Sequence, residues 1–243
     1  YILCVGSNLF DANYGPPNRN LRLVPRLAEG KAKMTVVDPR FNKAAAKANN
    51  YFPIVPGTDG AFFAGIIQWM IKNKKYDAKY LSNANKSAAK AANETTWTNA
   101  VLLVGIDPNG NPGKFLRANE IGIAQVEKRK GPDDKEYDFE YLVAMKDGKP
   151  VAVDPNDEKT PATGDLLVNT EISGIKVKSA LQIVYEAANS KSMQEWSKIC
   201  GISVKDIEET AKELTSYGKK AVVDVHRGIA QHTNGFYNVT SAM

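Results

Sequence analysis

The sequence is poor in the residues that build metal clusters, disulfide scaffolds and membrane spans. It has two cysteines, Cys4 and Cys200, and two histidines, His226 and His232, in 243 residues. The cysteines make no metal-ligand spacing and carry no pairing signal, so the redox compartment stays open. No apolar run approaches the roughly 20 residues that cross a bilayer as a helix. The longest, Ala61 to Ile71, is broken by Gly65 and Gln68. There is no G-x-G-x-x-G after the first apolar run, no P-loop, no H-E-x-x-H and no G-x-S-x-G. Those absences argue against a plain NAD-binding domain, a P-loop nucleotidase, a zinc protease and an α/β hydrolase. Internal repeats and low-complexity stretches are missing too. Charge of one sign is not banked: the net charge is +5 and the residues are interspersed. The exception, Lys128-Arg129-Lys130, reads as a solvated loop rather than a nucleic-acid patch, and no nucleic-acid partner is expected.

What is present is an ordinary globular composition, 43% hydrophobic and 24% charged, in a length that suits one large or two small domains. The opening run Tyr1 to Val5 is apolar and reads as a buried strand with no leader before it. The close at Asn238 to Met243 is not an obvious finish. Both ends read as cuts in a longer chain, in which case targeting cannot be read from this piece.

Strand and helix alternate in the first third. Strands are expected over Tyr1 to Val5, Met34 to Val37 and Phe52 to Val55. Helices are expected from Leu21 to Leu27, with Pro25 near the first turn, over the alanine-rich Lys43 to Asn50, and over Gly60 to Asn73. A Gly, Pro and Asn loop spans Asn13 to Asn20. Two short helices follow within Tyr76 to Ala92, then a strand near Ala100 to Val104. The middle differs: Asp147-Gly148 between apolar runs signals a β-hairpin. Helices return at Ser179 to Ala188, Met193 to Ile199 and Ser203 to Tyr217, and Ala221 to Val225 is a last buried strand. The expected fold is α/β, a three-layer αβα Rossmann-like parallel sheet with a β-hairpin insertion. The expected domains are a dinucleotide-binding unit over 1–225, with the insertion at about 118–170, and the start of a following domain over 226–243.

Each of four strands runs into a loop with ligand chemistry, and ligands of open α/β sheets bind at the carboxyl ends of strands. Gly6 admits close backbone approach, and Ser7 and Asn8 supply polar contacts. Asp38 stands where an acid meets a ribose or base, and Arg40 suits a diphosphate. Gly57 and Thr58 open a helix whose N–H groups favour an anion. Asp59 can accept the paired N1–H and N2–H₂ donors of guanine, which adenine lacks. Arg227, Gly228 and Gln231 follow the last strand. Singly, each loop also reads as a plain turn, Asp59 as an acid placed by the helix dipole, and the two histidines as structural. Together they point to a nucleotide.

The same residues resemble a known family. Val36 to Arg40, Ala44 to Ala48 and Phe52 to Ala61 resemble the signature block of molybdopterin oxidoreductases of the dimethyl sulfoxide reductase family. Gly6-Ser7-Asn8 falls where that family has its first dinucleotide loop, and His226 to Gly235 resembles its later Gly-x-x-Gln-His segment. The middle is matched only loosely. Within the family, the hairpin and the Ala221-to-Gly235 ending look most like tetrathionate reductase catalytic subunits, with thiosulfate, polysulfide and arsenate reductases as close relatives. The resemblance implies a bis(molybdopterin guanine dinucleotide) cofactor carrying molybdenum or tungsten. It also implies an iron–sulfur cluster elsewhere in the parent, partner subunits for iron–sulfur electron transfer and for membrane anchoring, and a small oxyanion substrate. Anaerobic respiration outside the cytoplasmic membrane is implied with them. Carried over, Gly6, Ser7 and Asn8 contact one dinucleotide, Asp38 and Arg40 its ribose, base or phosphates, and Gly57, Thr58 and Asp59 its guanine end. Arg227, Gly228 and Gln231 lie nearer the pterin or diphosphate. The family's amino-terminal cysteine cluster is absent, and neither cysteine matches a metal-ligand position, so this piece alone is expected to be inactive. The competing reading is a non-catalytic nucleotide-binding α/β module.

Overall fold

The computed structural model describes residues 1–11 and 18–243. Most of the loop read at Asn13 to Asn20 lies outside them. The chain divides into two compact units, one formed by Tyr1–Tyr76 and Ala187–Met243, the other by Asp77–Glu186.

The first unit begins with strand β1 (Ile2–Val5), helix α1 (Asn18–Ala28), strand β2 (Met34–Val37), a 3-10 turn at Ala45–Lys47, strand β3 (Asn50–Phe52) and helix α2 (Asp59–Lys72). The second unit carries helices α3 (Ala78–Leu81) and α4 (Lys86–Ala91), then strands β4 (Leu103–Ile106), β5 (Pro112–Phe115), β6 (Glu127–Lys130), β7 (Glu136–Phe139), β8 (Leu142–Lys146), β9 (Lys149–Val153), β10 (Asn169–Ile172) and β11 (Ile175–Ser179). Helix α5 (Ala180–Ala188) leads back to the first unit, which closes with α6 (Met193–Cys200), α7 (Val204–Ser216), strand β12 (Val222–Val225), α8 (Arg227–Ala230) and α9 (Gly235–Ala242).

The first unit is an all-parallel sheet in the order β12-β1-β2-β3 with helices on both faces. Side-chain alternation along β1 makes the three layers. Leu3 and Val5 point into a core shared with Phe62 and Ile66 of α2, Cys200 and Ile207. Ile2 and Cys4 point the other way, toward Leu23 and Leu27 of α1 and the Ala44–Ala45 turn. β2 splits likewise, Val37 into the first core and Met34 and Val36 into the second. The helix caps follow the sequence. Ser203 Oγ accepts from the Asp206 N–H at 3.1 Å, and Ser192 and Glu195 form a capping box at the start of α6.

Three local expectations are corrected. The alanine-rich run from Lys43 makes only the short 3-10 turn, because Asn42 Oδ1 caps the Ala45 N–H at 2.9 Å and Asn49 Oδ1 takes the Met34 N–H at 2.9 Å, tying both ends down. β3 covers Asn50–Phe52 rather than the run to Val55, since Pro53 has no N–H for a ladder. Pro25 lies inside α1, not in its first turn.

In the second unit, β10-β11-β4-β5 form an antiparallel sheet, and β6–β7 and β8–β9 are separate hairpins. Asp147 and Gly148 both have positive φ at the β8–β9 turn, as the tight hairpin requires. β4 pairs antiparallel with β5 and β11, so this compact unit starts before and ends after the 118–170 hairpin stretch. The basic triplet Lys128 to Lys130 is a strand, not a loop. Lys128 bridges to Asp138 and Arg129 to Glu127 and Asp154, with the Arg129 guanidinium 3.5 Å above the Phe139 ring.

Candidate functional site

Strand order places a topological switch between β1 and β12: the chain moves from β1 out to β3, then returns to add β12 on the other side. Crevices form at such points, outside the carboxyl ends of the strands. A cleft of about 270 Å³ opens there, lined by Gly6, Ser7 and Asn8 after β1, Asp38 after β2, and Val225 to Gly228 at the end of β12, with Arg19 and Asp224. Six of the residues named from the sequence thus meet in one cleft: Gly6, Ser7, Asn8, Asp38, Arg227 and Gly228.

The floor is bare backbone. Gly6 has φ +56°, and a Cβ there would stand 2.6 Å from Ile229 N; a Cβ on Gly228 would stand 2.6 Å from Gly6 O. Only glycine satisfies both sides. Ser7 is buried, and its hydroxyl donates to Asp224 Oδ2 at 2.5 Å. Asn8 Nδ2 donates to Asp11 at 3.1 Å, while Asn8 Oδ1 is buried without a hydrogen-bond partner. An acceptor orphaned in this way fits a site completed by a donor-bearing ligand. Asp38 closes on its own turn by accepting the Arg40 N–H at 2.8 Å.

The remaining named residues lie outside the cleft lining. The Arg40 side chain is exposed. Thr58 spends both its N–H and its hydroxyl on Val55 O, at 3.2 and 2.6 Å, so neither donor is aimed at an anion. The start of α2 is closed from within the fold: Asn238 Oδ1 accepts the Gly60 N–H at 3.1 Å, and Asn234 and Asn238 both donate to Gly57 O. Asp59 is buried in the first turn of α2. Burial pushes its carboxyl above the ordinary aspartate range, its own backbone N–H and His232 pull it down, and Asp38 pushes it up. Gln231 is exposed at the end of α8.

Sequence reasoning missed Asp224 and Arg19. The signal for Asp224 was present: a lone carboxylate in the otherwise apolar strand Val222 to Val225. Among the cysteines, burial pushes the Cys4 thiol up to about 12, with Asp224 adding to the effect, and burial also raises Cys200. Such thiols stay protonated and make poor metal ligands.

The first unit is thus a Rossmann-like parallel αβα sheet with a glycine-floored cleft at its switch point. The family model for molybdopterin oxidoreductase matches residues 1–239. The chain belongs to that family, whose members are enzymes that use a molybdenum or tungsten molybdopterin cofactor. It is 44% identical over 238 residues to a selenate reductase subunit of Mesobacillus selenatarsenatis, covering 98% of this chain and 22% of that protein. It is 36% identical over 241 residues to a tetrathionate reductase subunit of Archaeoglobus fulgidus, covering 98% of this chain and 20% of that protein. The fold is similar to that of acetylene hydratase from Pelobacter acetylenicus, with a TM-score of 0.52 and 15% identity over 99% of this chain and 20% of that one. The chain thus spans about a fifth of the length of these relatives. The reductase relatives are themselves parts of larger assemblies.

Proposed function

We propose that this chain is the part of a catalytic subunit that grips one guanine dinucleotide of a bis(molybdopterin guanine dinucleotide) cofactor, in a reductase of sulfur or selenium oxyanions. The observation that carries the reading is the cleft at the β1–β12 switch point, where Gly6, Ser7, Asn8, Asp38, Arg227 and Gly228 converge around an unpartnered Asn8 oxygen. Gly6 and Gly228 let the dinucleotide approach the backbone. Asn8 Oδ1 and Asp38 accept from its hydroxyl or amine groups, and Arg227 offers a guanidinium to its diphosphate. Asp59, beyond the cleft rim, accepts the guanine edge. When bound, the metal of the cofactor supplies the two-electron chemistry; this chain supplies grip and orientation.

The sequence pattern favours tetrathionate as substrate, and the more similar selenate reductase favours selenate. Both are oxyanions of neighbouring elements that accept an electron pair, tetrathionate yielding two thiosulfates and selenate yielding selenite and water. The full-length protein would draw its electrons through an iron–sulfur cluster and an iron–sulfur partner subunit, with a membrane anchor, on the outer side of the cytoplasmic membrane. The test is elemental analysis of the full-length protein purified from its own cells, together with turnover of tetrathionate and selenate by a reduced viologen dye. One molybdenum or tungsten per chain with several irons, and turnover of either oxyanion, is the expected result. A folded protein with neither molybdenum nor tungsten would overturn the proposal in favour of a non-catalytic nucleotide-binding module.

A further inference from the structure

The inner wall of the cleft carries a carboxylate that changes what Ser7 can offer. Asp224 sits opposite Cys4 in the β12–β1 register, and its Oδ2 accepts a hydrogen bond from the Ser7 hydroxyl at 2.5 Å. Its Oδ1 lies 3.7 Å from Arg19 Nη1. A serine hydroxyl has one hydrogen. With that hydrogen held by Asp224 in a short charge-assisted bond, Ser7 presents only oxygen lone pairs to the cleft. Asp38 lines the same cleft and adds further acceptor oxygens, while Arg19 and Arg227 also line it. A phosphate placed at Ser7 would meet acceptors and no donor from that side chain. A hydroxyl placed there would be received by them.

We propose that Asp224 is a positioning residue that, by accepting the Ser7 hydroxyl hydrogen bond, turns the inner corner of the cleft into an acceptor site for the ribose hydroxyls of the ligand, and leaves its phosphates to the arginine side. This rests on the dinucleotide reading of the cleft. Ribose is favoured over an amine because the acid at the end of the second strand, here Asp38, is where Rossmann-like sheets meet a ribose diol.

The experiment uses the full-length protein purified from cells unable to make molybdopterin, titrated calorimetrically with guanosine, 2′,3′-dideoxyguanosine and inorganic pyrophosphate. Removing the diol should weaken binding to the unaltered protein roughly tenfold, the effect of one well-made hydrogen bond to a charged group. Asp224→Ala should shrink that difference to the part Asp38 supplies and leave pyrophosphate binding unchanged or tighter. Ser7→Ala should do the same, and the double variant should be no worse than either alone. Asp224→Asn keeps an oxygen that can accept from Ser7 and should retain most of the guanosine affinity. Equal losses of guanosine and pyrophosphate in Asp224→Ala would mean a structural role and overturn the proposal. A diol preference undiminished in Asp224→Ala would overturn it as well. Failure of the unaltered protein to bind any of the three probes would instead overturn the dinucleotide reading on which it rests.

Discussion

Gly6 and Gly228, from opposite ends of the chain, touch through bare backbone: the Gly228 N–H donates to Gly6 O at 3.0 Å, and a Cβ on Gly228 would stand 2.6 Å from that oxygen. This contact locks the loop after β1 to the loop after β12. It forms the floor of the cleft and fixes the spacing of Ser7, Asn8 and Arg227 around it.

Gly228→Ala tests that lock. Gly228 lies in α8, where alanine would ordinarily gain about 0.5–1 kcal/mol of backbone entropy. The clash with main-chain atoms outweighs this, because overpacking against atoms that cannot rotate away costs about 1–3 kcal/mol. The full-length protein should melt at a lower temperature and be purified with less than the normal molybdenum or tungsten content. Gly30→Ala is the control: its φ of +67° strains alanine, but nothing lies within 4 Å. It should cost about 1 kcal/mol and leave the metal content intact.

Gln68 ties α2 to the segment before α6. Its Nε2 lies within hydrogen-bond reach of Ala188 O, Asn189 Oδ1 and Lys191 O, at 3.1, 3.2 and 2.9 Å. In sequence it merely interrupts an apolar run. Gln68→Leu keeps the volume but strips the donor from the buried Ala188 carbonyl and from the half-buried bonds to Asn189 and Lys191, which costs about 1–3 kcal/mol. Denaturant unfolding should show that loss. A neutral result would mean that the Trp196 indole, which donates to Ala188 O at 2.8 Å, satisfies the segment alone.

The alternation along β1 and β2 made the parallel sheet legible, because residues buried on both faces read as continuous apolar runs. The loops after β1, β2 and β12 were legible as a cleft because the sheet rule puts strand ends together whatever their sequence separation. Two things were not. The donors of Thr58 look open to an anion in sequence, yet Val55 O takes them. The start of α2 looks vacant, yet Asn238 from the far end of the chain fills it. The first is a local turn closed within three residues; the second depends on a side chain arriving from across the fold, for which spacing along one strand or helix gives no signal. Asp224 belongs to the same class: its oddness in an apolar strand is visible, but its partner Ser7, 217 residues away, is not.

Asn238 therefore carries a second stability prediction. It is buried, accepts from the Gly60 N–H, and donates to Gly57 O. Asn238→Ala removes the cap of a 14-residue helix and should cost about 2 kcal/mol, at the upper end for a lost cap. Asn234 still donates to Gly57 O at 2.8 Å, so the loop should hold while α2 frays. Amide hydrogen exchange should accelerate at Gly60 and Ala61 and stay unchanged at Gly6. Unchanged exchange at Gly60 would overturn the assignment of Asn238 as the cap.

Asp59→Asn separates stability from binding. In the unfolded chain the carboxyl titrates near 3.8, and in the fold burial raises it. Below about pH 3.8 it is neutral in both states and burial carries no ionisation cost. Between about pH 3.8 and the raised folded value the unfolded chain has lost this proton while the folded carboxyl keeps it, so stability falls with pH, and above the folded value it levels off. Asparagine has no such cost. The variant should match the unaltered protein at pH 3 and melt higher at pH 7, with the gap opening between those limits. Its amide can offer only one acceptor oxygen to a guanine edge and adds donors where guanine also has donors. Guanosine affinity of the cofactor-free protein should therefore fall roughly tenfold at pH 7, while inosine, which lacks the 2-amino group, should lose less. A variant less stable at pH 7 would mean that the Asp59 charge supports α2 through its dipole more than burial opposes it. A variant binding guanosine normally would remove Asp59 from the guanine site.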